Sequence, residues 1–104
     1  MNIDIRATNL DLTDPLREYV QLKIGGLEKF LRNFDQDVLK AQVEVARTTK
    51  HHRHGDVFYA EVNLSLPGKM LRATHNAPDI RMAVDKVKDI LQREIRKYKD
   101  QIRS

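Results

Sequence analysis

Apolar residues in this chain follow two periods. In short stretches they alternate with polar ones, and in two longer stretches they return every three or four positions. The clearest helical stripe is the last: Ile80, Ala83, Val84, Val87, Leu91, Ile95, Tyr98 and Ile102 fall on one face at 3.6 residues per turn. Residues 78–104 are therefore predicted as one long amphipathic helix. At about 1.5 Å per residue it forms a rod of roughly 39 Å, whereas a chain of this size has a radius of gyration near 13 Å. The end of the rod should overhang the core, with basic side chains around it.

The remaining stretches read in order. Asn2–Thr8 alternates, with Ile3, Ile5 and Ala7 on one side, as a half-buried strand does. Asp14-Pro15 opens a helix, since proline suits the first helical position and an aspartate before it can cap. Leu16, Val20, Ile24, Leu27, Leu31 and Phe34 are its buried stripe. Gly25 and Gly26 interrupt it at about 1 kcal/mol each relative to alanine, which a close backbone approach or a kink would explain. Residues 38–48 form a second strand with Leu39, Ala41, Val43 and Val45 facing one way, and 49–55 a polar, basic loop. Residues 57–66 form a third strand, with Phe58, Ala60, Val62 and Leu64 inward. Pro67-Gly68 fits the centre of a type II turn, returning 69–75 as an antiparallel fourth strand. Asp79 then falls in the first turn of the last helix, where an anion suits the dipole.

The order β-α-β-β-β-α implies a right-handed crossover between two parallel strands, followed by a meander. Two amphipathic helices then cover one face of a four-stranded mixed sheet. The fold class is α+β, a two-layer sandwich, similar in its core to a double-stranded-RNA-binding domain. Residues 1–104 are expected to form a single domain.

Charge sharpens this picture. The 104 residues include 33% charged side chains and carry a formal charge of +4. Residues 1–36 hold five cations and six anions, 37–78 six and four, and 79–104 eight and five. The positive excess grows toward the C-terminus, and both helices should present cations on the same side of the sheet. Such an array suits a polyanion and makes binding salt-dependent. Aromatic residues make up only 6% and several fall in predicted core stripes, so a base-stacking platform is disfavoured against recognition of folded RNA by shape and backbone. A membrane surface is a weaker partner, because the sheet needs the apolar stripe of the last helix. The start of the chain is unlike a signal peptide, and no apolar run approaches the roughly 20 residues that span a bilayer. A cytoplasmic location is expected.

Other chemistry finds little support. The absence of cysteine removes disulfides, thiolate ligands and thiol nucleophiles. His51, His52 and His54 share a loop with Lys50 and Arg53, and His75 lies elsewhere. A metal site wants about four ligands held by a second shell, so the polar-loop reading is preferred to a metal or protein-interaction module. No Ser-His-Asp spacing, P-loop or dinucleotide fingerprint occurs. The chain is read as neither an enzyme nor a cofactor binder. A generic double-stranded-RNA-binding module is the main alternative, but it would carry lysines at the start of the last helix, where Ala77-Pro78-Asp79 stands.

Several stretches carry a resemblance that spans nearly the whole chain: IRATNLDLTDPLREYV, GLEKFL, PGKMLRA and DIRMAVDKVKDILQREIRKYK. In this order and spacing they resemble the bacterial ribosome hibernation-promoting factor and ribosome-associated inhibitor family. The resemblance implies a factor that docks on the small ribosomal subunit and its ribosomal RNA, in the messenger and transfer RNA channel around the A and P sites. It would block translation and protect idle ribosomes, as in stress or stationary phase, with no DNA, membrane or small-molecule partner, and be monomeric off the ribosome. Carried over by position, Lys23 and Lys29 on the first helix and Lys86, Arg93 and Lys97 on the last would contact RNA. The charge pattern alone adds Arg96 and Lys99. Arg81 stands where the family commonly has tyrosine, and Gly26 and Ile90 where lysine is common. The resemblance further implies a short family form, or the N-terminal domain of a longer one.

Overall fold

Four strands and two α-helices follow one another in the expected order in the computed structural model, which describes residues 1–48, 55 and 57–103. The strands are β1 (Asn2–Thr8), β2 (Lys40–Arg47), β3 (Phe58–Leu66) and β4 (Lys69–Ala77), and the helices are α1 (Asp14–Gly25) and α2 (Ile80–Arg103). The sheet order is β1-β2-β3-β4, with β1 parallel to β2 and the other pairs antiparallel. The basic loop at 49–55, with its three histidines, lies outside the described residues except for Gly55.

Register puts the apolar alternation on one face. Ile5 lies beside Val43, Val43 opposite Val62, and Val62 opposite Ala73, and α1 and α2 pack over this row. Val20 and Ile24 from α1, Leu27 and Leu31 beyond it, and Val87, Leu91 and Ile95 from α2 are fully buried against it. Each such side chain contributes on the order of 2 kcal/mol of burial free energy. No polar side chain among the described residues is buried with them.

Five sequence expectations change. The cap of α1 is Thr13, whose hydroxyl accepts from the Leu16 amide at 3.3 Å, while Asp14 lies inside the first turn. The first helix ends at Gly25 and tightens into a 3-10 segment, Gly26–Phe30, although its apolar stripe continues. No close approach forces the glycines: a Cβ on Gly25 would meet the Ile3 side chain at an ordinary 3.6 Å, and one on Gly26 nothing within 4 Å. The second strand begins at Lys40, because Asp35 accepts from the Asp37 amide at 3.0 Å and turns Gln36–Val38 into a 3-10 turn. Asp79 stands before the first turn of α2 as its cap: its carboxylate accepts from the Arg81 amide at 2.7 Å and its carbonyl from Ala83. Ile102, assigned to the buried stripe, is 50% exposed.

That exposure marks the overhang. The last fully buried residue of α2 is Ile95, and the 24-residue helix runs on for two further turns. Its length, about 36 Å at 1.5 Å per residue, accounts for most of the 45 Å long axis of the molecule.

Candidate nucleic-acid interface

The outer arc of α2 divides into two flanks, set by 100° per residue. Lys86, Arg93 and Lys97 share the flank facing away from α1, all exposed. Arg81, Asp85, Arg96 and Lys99 share the flank facing α1 and the 3-10 segment, as their contacts show. The seven sequence candidates are therefore not one patch: four gather in or beside the groove between the helical segments and three line the other side of α2.

Within the groove, two half-buried aromatic residues organise the cations. Near the start of α2, the Lys23 ammonium lies 5.6 Å and the Arg81 guanidinium 4.9 Å from the Tyr19 ring centre, within cation–π range. The Tyr19 hydroxyl donates to the Asp85 carboxylate, which also lies 3.7 Å from Lys23. Burial and this carboxylate acceptor push the Tyr19 phenol up to about 12, against a smaller opposing pull from Arg81. Lys23 is thus already partnered by an anion of its own chain.

Farther along, Phe30 plays the same part with a different balance. Lys29 stands 5.3 Å and Arg96 5.9 Å from its ring centre, and the Lys99 ammonium donates to the Phe30 carbonyl at 2.9 Å. This brings together three candidates from the 3-10 segment and from α2. The Lys99 bond also holds that long side chain in one orientation. Arg32, Asn33 and Arg103 line a cleft of about 370 Å³ with Lys29, Lys99 and Ile102.

Sequence reasoning missed Tyr19 and Phe30 as organisers, having placed aromatics in core stripes. None of the six aromatic side chains is fully buried. Arg81 and Arg103 were visible as cations on the α2 face, and Arg32 as one on the first helix. Their neighbours depend on tertiary packing, which periodicity does not reveal.

The other candidate chemistry stays separate. His75 lies on the helix-covered face opposite Ala60. Among the described residues, no group of three or more histidine, aspartate or glutamate side chains could hold a metal, and no helix is long and apolar enough to cross a membrane.

Known proteins share both sequence and fold with this chain. It is 31% identical over 95 residues to a ribosome hibernation promotion factor of Deinococcus radiodurans, covering 91% of this chain and 47% of that protein. It is 35% identical over 101 residues to the same-named factor of Lactococcus lactis, covering 95% and 50%. The chain spans about half the length of these curated relatives. Among solved structures, the Thermus thermophilus Protein Y N-terminal domain superposes with a TM-score of 0.75 at 29% identity, over 94% of this chain and 99% of that one. A ribosomal subunit interface protein from Coxiella burnetii has the same fold, with a TM-score of 0.68 at 21% identity over 96% and 99%. With its match over residues 3–103, the chain belongs to the family described as Sigma 54 modulation protein / S30EA ribosomal protein.

Proposed function

We propose that this chain is a ribosome-binding hibernation module that docks on small-subunit ribosomal RNA through its basic helical layer. Docked in the channel around the A and P sites, it blocks messenger and transfer RNA and silences the ribosome. Its action is binding, not catalysis. The observation that carries this reading is the gathering of Lys29, Arg96 and Lys99 around Phe30. Cations from distant parts of the chain converge on one outward surface, which suits a backbone rich in phosphates. The two relatives named as ribosome hibernation promotion factors support the ribosome as the source of that RNA. Lys86, Arg93 and Lys97, exposed on the other flank of α2, extend the contact surface.

Co-sedimentation with purified bacterial ribosomes through a sucrose cushion tests the proposal, at low and high salt and with a free RNA duplex as competitor. Saturable small-subunit binding that survives excess duplex and weakens steeply with salt is the expected result. Binding removed by the duplex would instead indicate a general double-stranded-RNA module. Reversing Lys86, Arg93 and Lys97 to glutamate should weaken binding strongly with the fold intact. A folded triple variant that binds normally overturns this assignment.

A further inference from the structure

The net positive charge of the helical layer is concentrated at one end. Helix α1 carries two cations and two anions, and residues 79–91 carry three of each. Residues 92–103, by contrast, carry five cations (Arg93, Arg96, Lys97, Lys99, Arg103) against Glu94 and Asp100. Residues 26–33 add Lys29 and Arg32 against Glu28, whose carboxylate is bound to the Met1 amine at 2.8 Å. The ion pairs follow the same division. Among the described residues, the helix cations paired with carboxylates are Lys23 with Asp85 and Lys88 with Asp89, both at the balanced end.

The unbalanced end also has a shape. The 3-10 segment and the overhanging turns of α2 enclose the cleft of about 370 Å³ lined by Lys29, Arg32, Asn33, Lys99, Ile102 and Arg103. No carboxylate lines it; Asp100 lines the adjoining hollow with Arg96, Lys99 and Arg103. Lys99 is held by the Phe30 carbonyl and Lys29 by the Phe30 ring, so two of the four cations are oriented before any anion arrives. Asn33 supplies an uncharged donor, and the exposed Ile102 an apolar wall against which a ribose can rest.

We infer that this cleft is the principal phosphate seat of the chain, holding consecutive phosphates of an RNA backbone through Lys29, Arg32, Lys99 and Arg103, while Lys23 at the Tyr19–Asp85 end makes no phosphate contact. The inference rests on the ribosome reading only for which RNA is bound. It adds Arg32 and Arg103 to the interface and removes Lys23. Arginine suits such a seat because its planar fork can bond two phosphate oxygens at once.

The test compares Arg32→Gln/Arg103→Gln with Lys23→Gln, each against purified small subunits and against a single-stranded RNA of about 12 nucleotides, long enough for one continuous groove. Each lost phosphate contact on a single strand lowers the slope of log K against log salt by about 0.7. The double variant should therefore lose about 1.4 in slope and bind at least tenfold more weakly at low salt. Lys23→Gln should retain the parent slope. Circular dichroism confirms that both stay folded. Equal losses in the two variants, or an unchanged slope in the double variant, overturn the inference. If the parent ignores small subunits but the double variant still loses the single strand, the cleft stands and the ribosome reading falls.

Discussion

The hydroxyl of Tyr98 donates to the carbonyl of Pro67 at 2.9 Å, fastening α2 to the turn between β3 and β4 just before the helix leaves the core. The Tyr98 ring also stacks on Phe34, with centroids 6.4 Å apart and planes 18° from parallel. Beyond Tyr98, Lys99 ties α2 back to the Phe30 carbonyl, and the exposed residues 100–103 project from this point.

Tyr98→Phe keeps the stacked ring and removes only the hydroxyl. The bond is solvent-accessible, so its loss should cost about 0.5–1 kcal/mol, read as a lower urea midpoint with an unchanged m-value. Amide exchange in the last two turns of α2 should quicken more than exchange around Leu91. Uniform acceleration along the helix would show that Tyr98 does not anchor the overhang.

Two glycines, Gly26 and Gly68, separate backbone need from habit. Gly26 has φ −61° and ψ −18° with open space at its Cβ position, so Gly26→Ala should stabilise the fold by about 0.4–1 kcal/mol by restricting the unfolded chain. Gly68 has φ +74°, where an L side chain costs about 1 kcal/mol or more. Gly68→Ala should therefore move the urea midpoint the opposite way. Equal shifts in one direction contradict this assignment.

The strands and the buried stripes were legible in the sequence because each depends on a local period. Val43 and Val62 face inward by alternation alone, and Val87 and Leu91 by helical spacing. The Pro67-Gly68 turn was legible because its chemistry sits in two adjacent residues. The end of α1 was not: Leu27 and Leu31 keep the apolar stripe going, and period alone does not distinguish an α-helix from a helix that tightens at Gly26. The site was least legible. Tyr19 and Asp85 are 66 positions apart and Lys99 and Phe30 are 69 apart, so which cations are neutralised and which are left for a partner is decided by packing.

Stability should fall in alkaline solution through Tyr19. Its phenol ionises near 10 in the unfolded chain and at about 12 in the folded one, so between these values the folded state holds the extra proton. By linkage the contribution is complete below pH 10 and disappears as pH rises through about 12. Tyr19→Phe should flatten this decline in urea midpoints measured across that window. A residual slope is expected from Tyr59, whose phenol is also raised by burial and by its hydrogen bond to Glu61. An unchanged slope in Tyr19→Phe would refute the assignment.

Asp85 should pull stability and affinity in opposite directions. Its carboxylate accepts from Tyr19 and lies beside Lys23, tying α1 to α2 while cancelling positive charge in the groove. Asp85→Asn keeps an acceptor but turns a charge-assisted bond into a neutral one of roughly half the strength, so the fold should lose about 1 kcal/mol. The same change removes an anion from the face proposed to meet RNA and frees Lys23 to reach a phosphate. Affinity for a single-stranded RNA should rise several-fold at low salt, with a steeper salt dependence. Added to Lys23→Gln, the substitution should leave the slope near that of the parent, because no lysine is then available to add a contact. An affinity gain of the same size in both backgrounds would mean that Asp85 acts through long-range repulsion of RNA and not by holding Lys23.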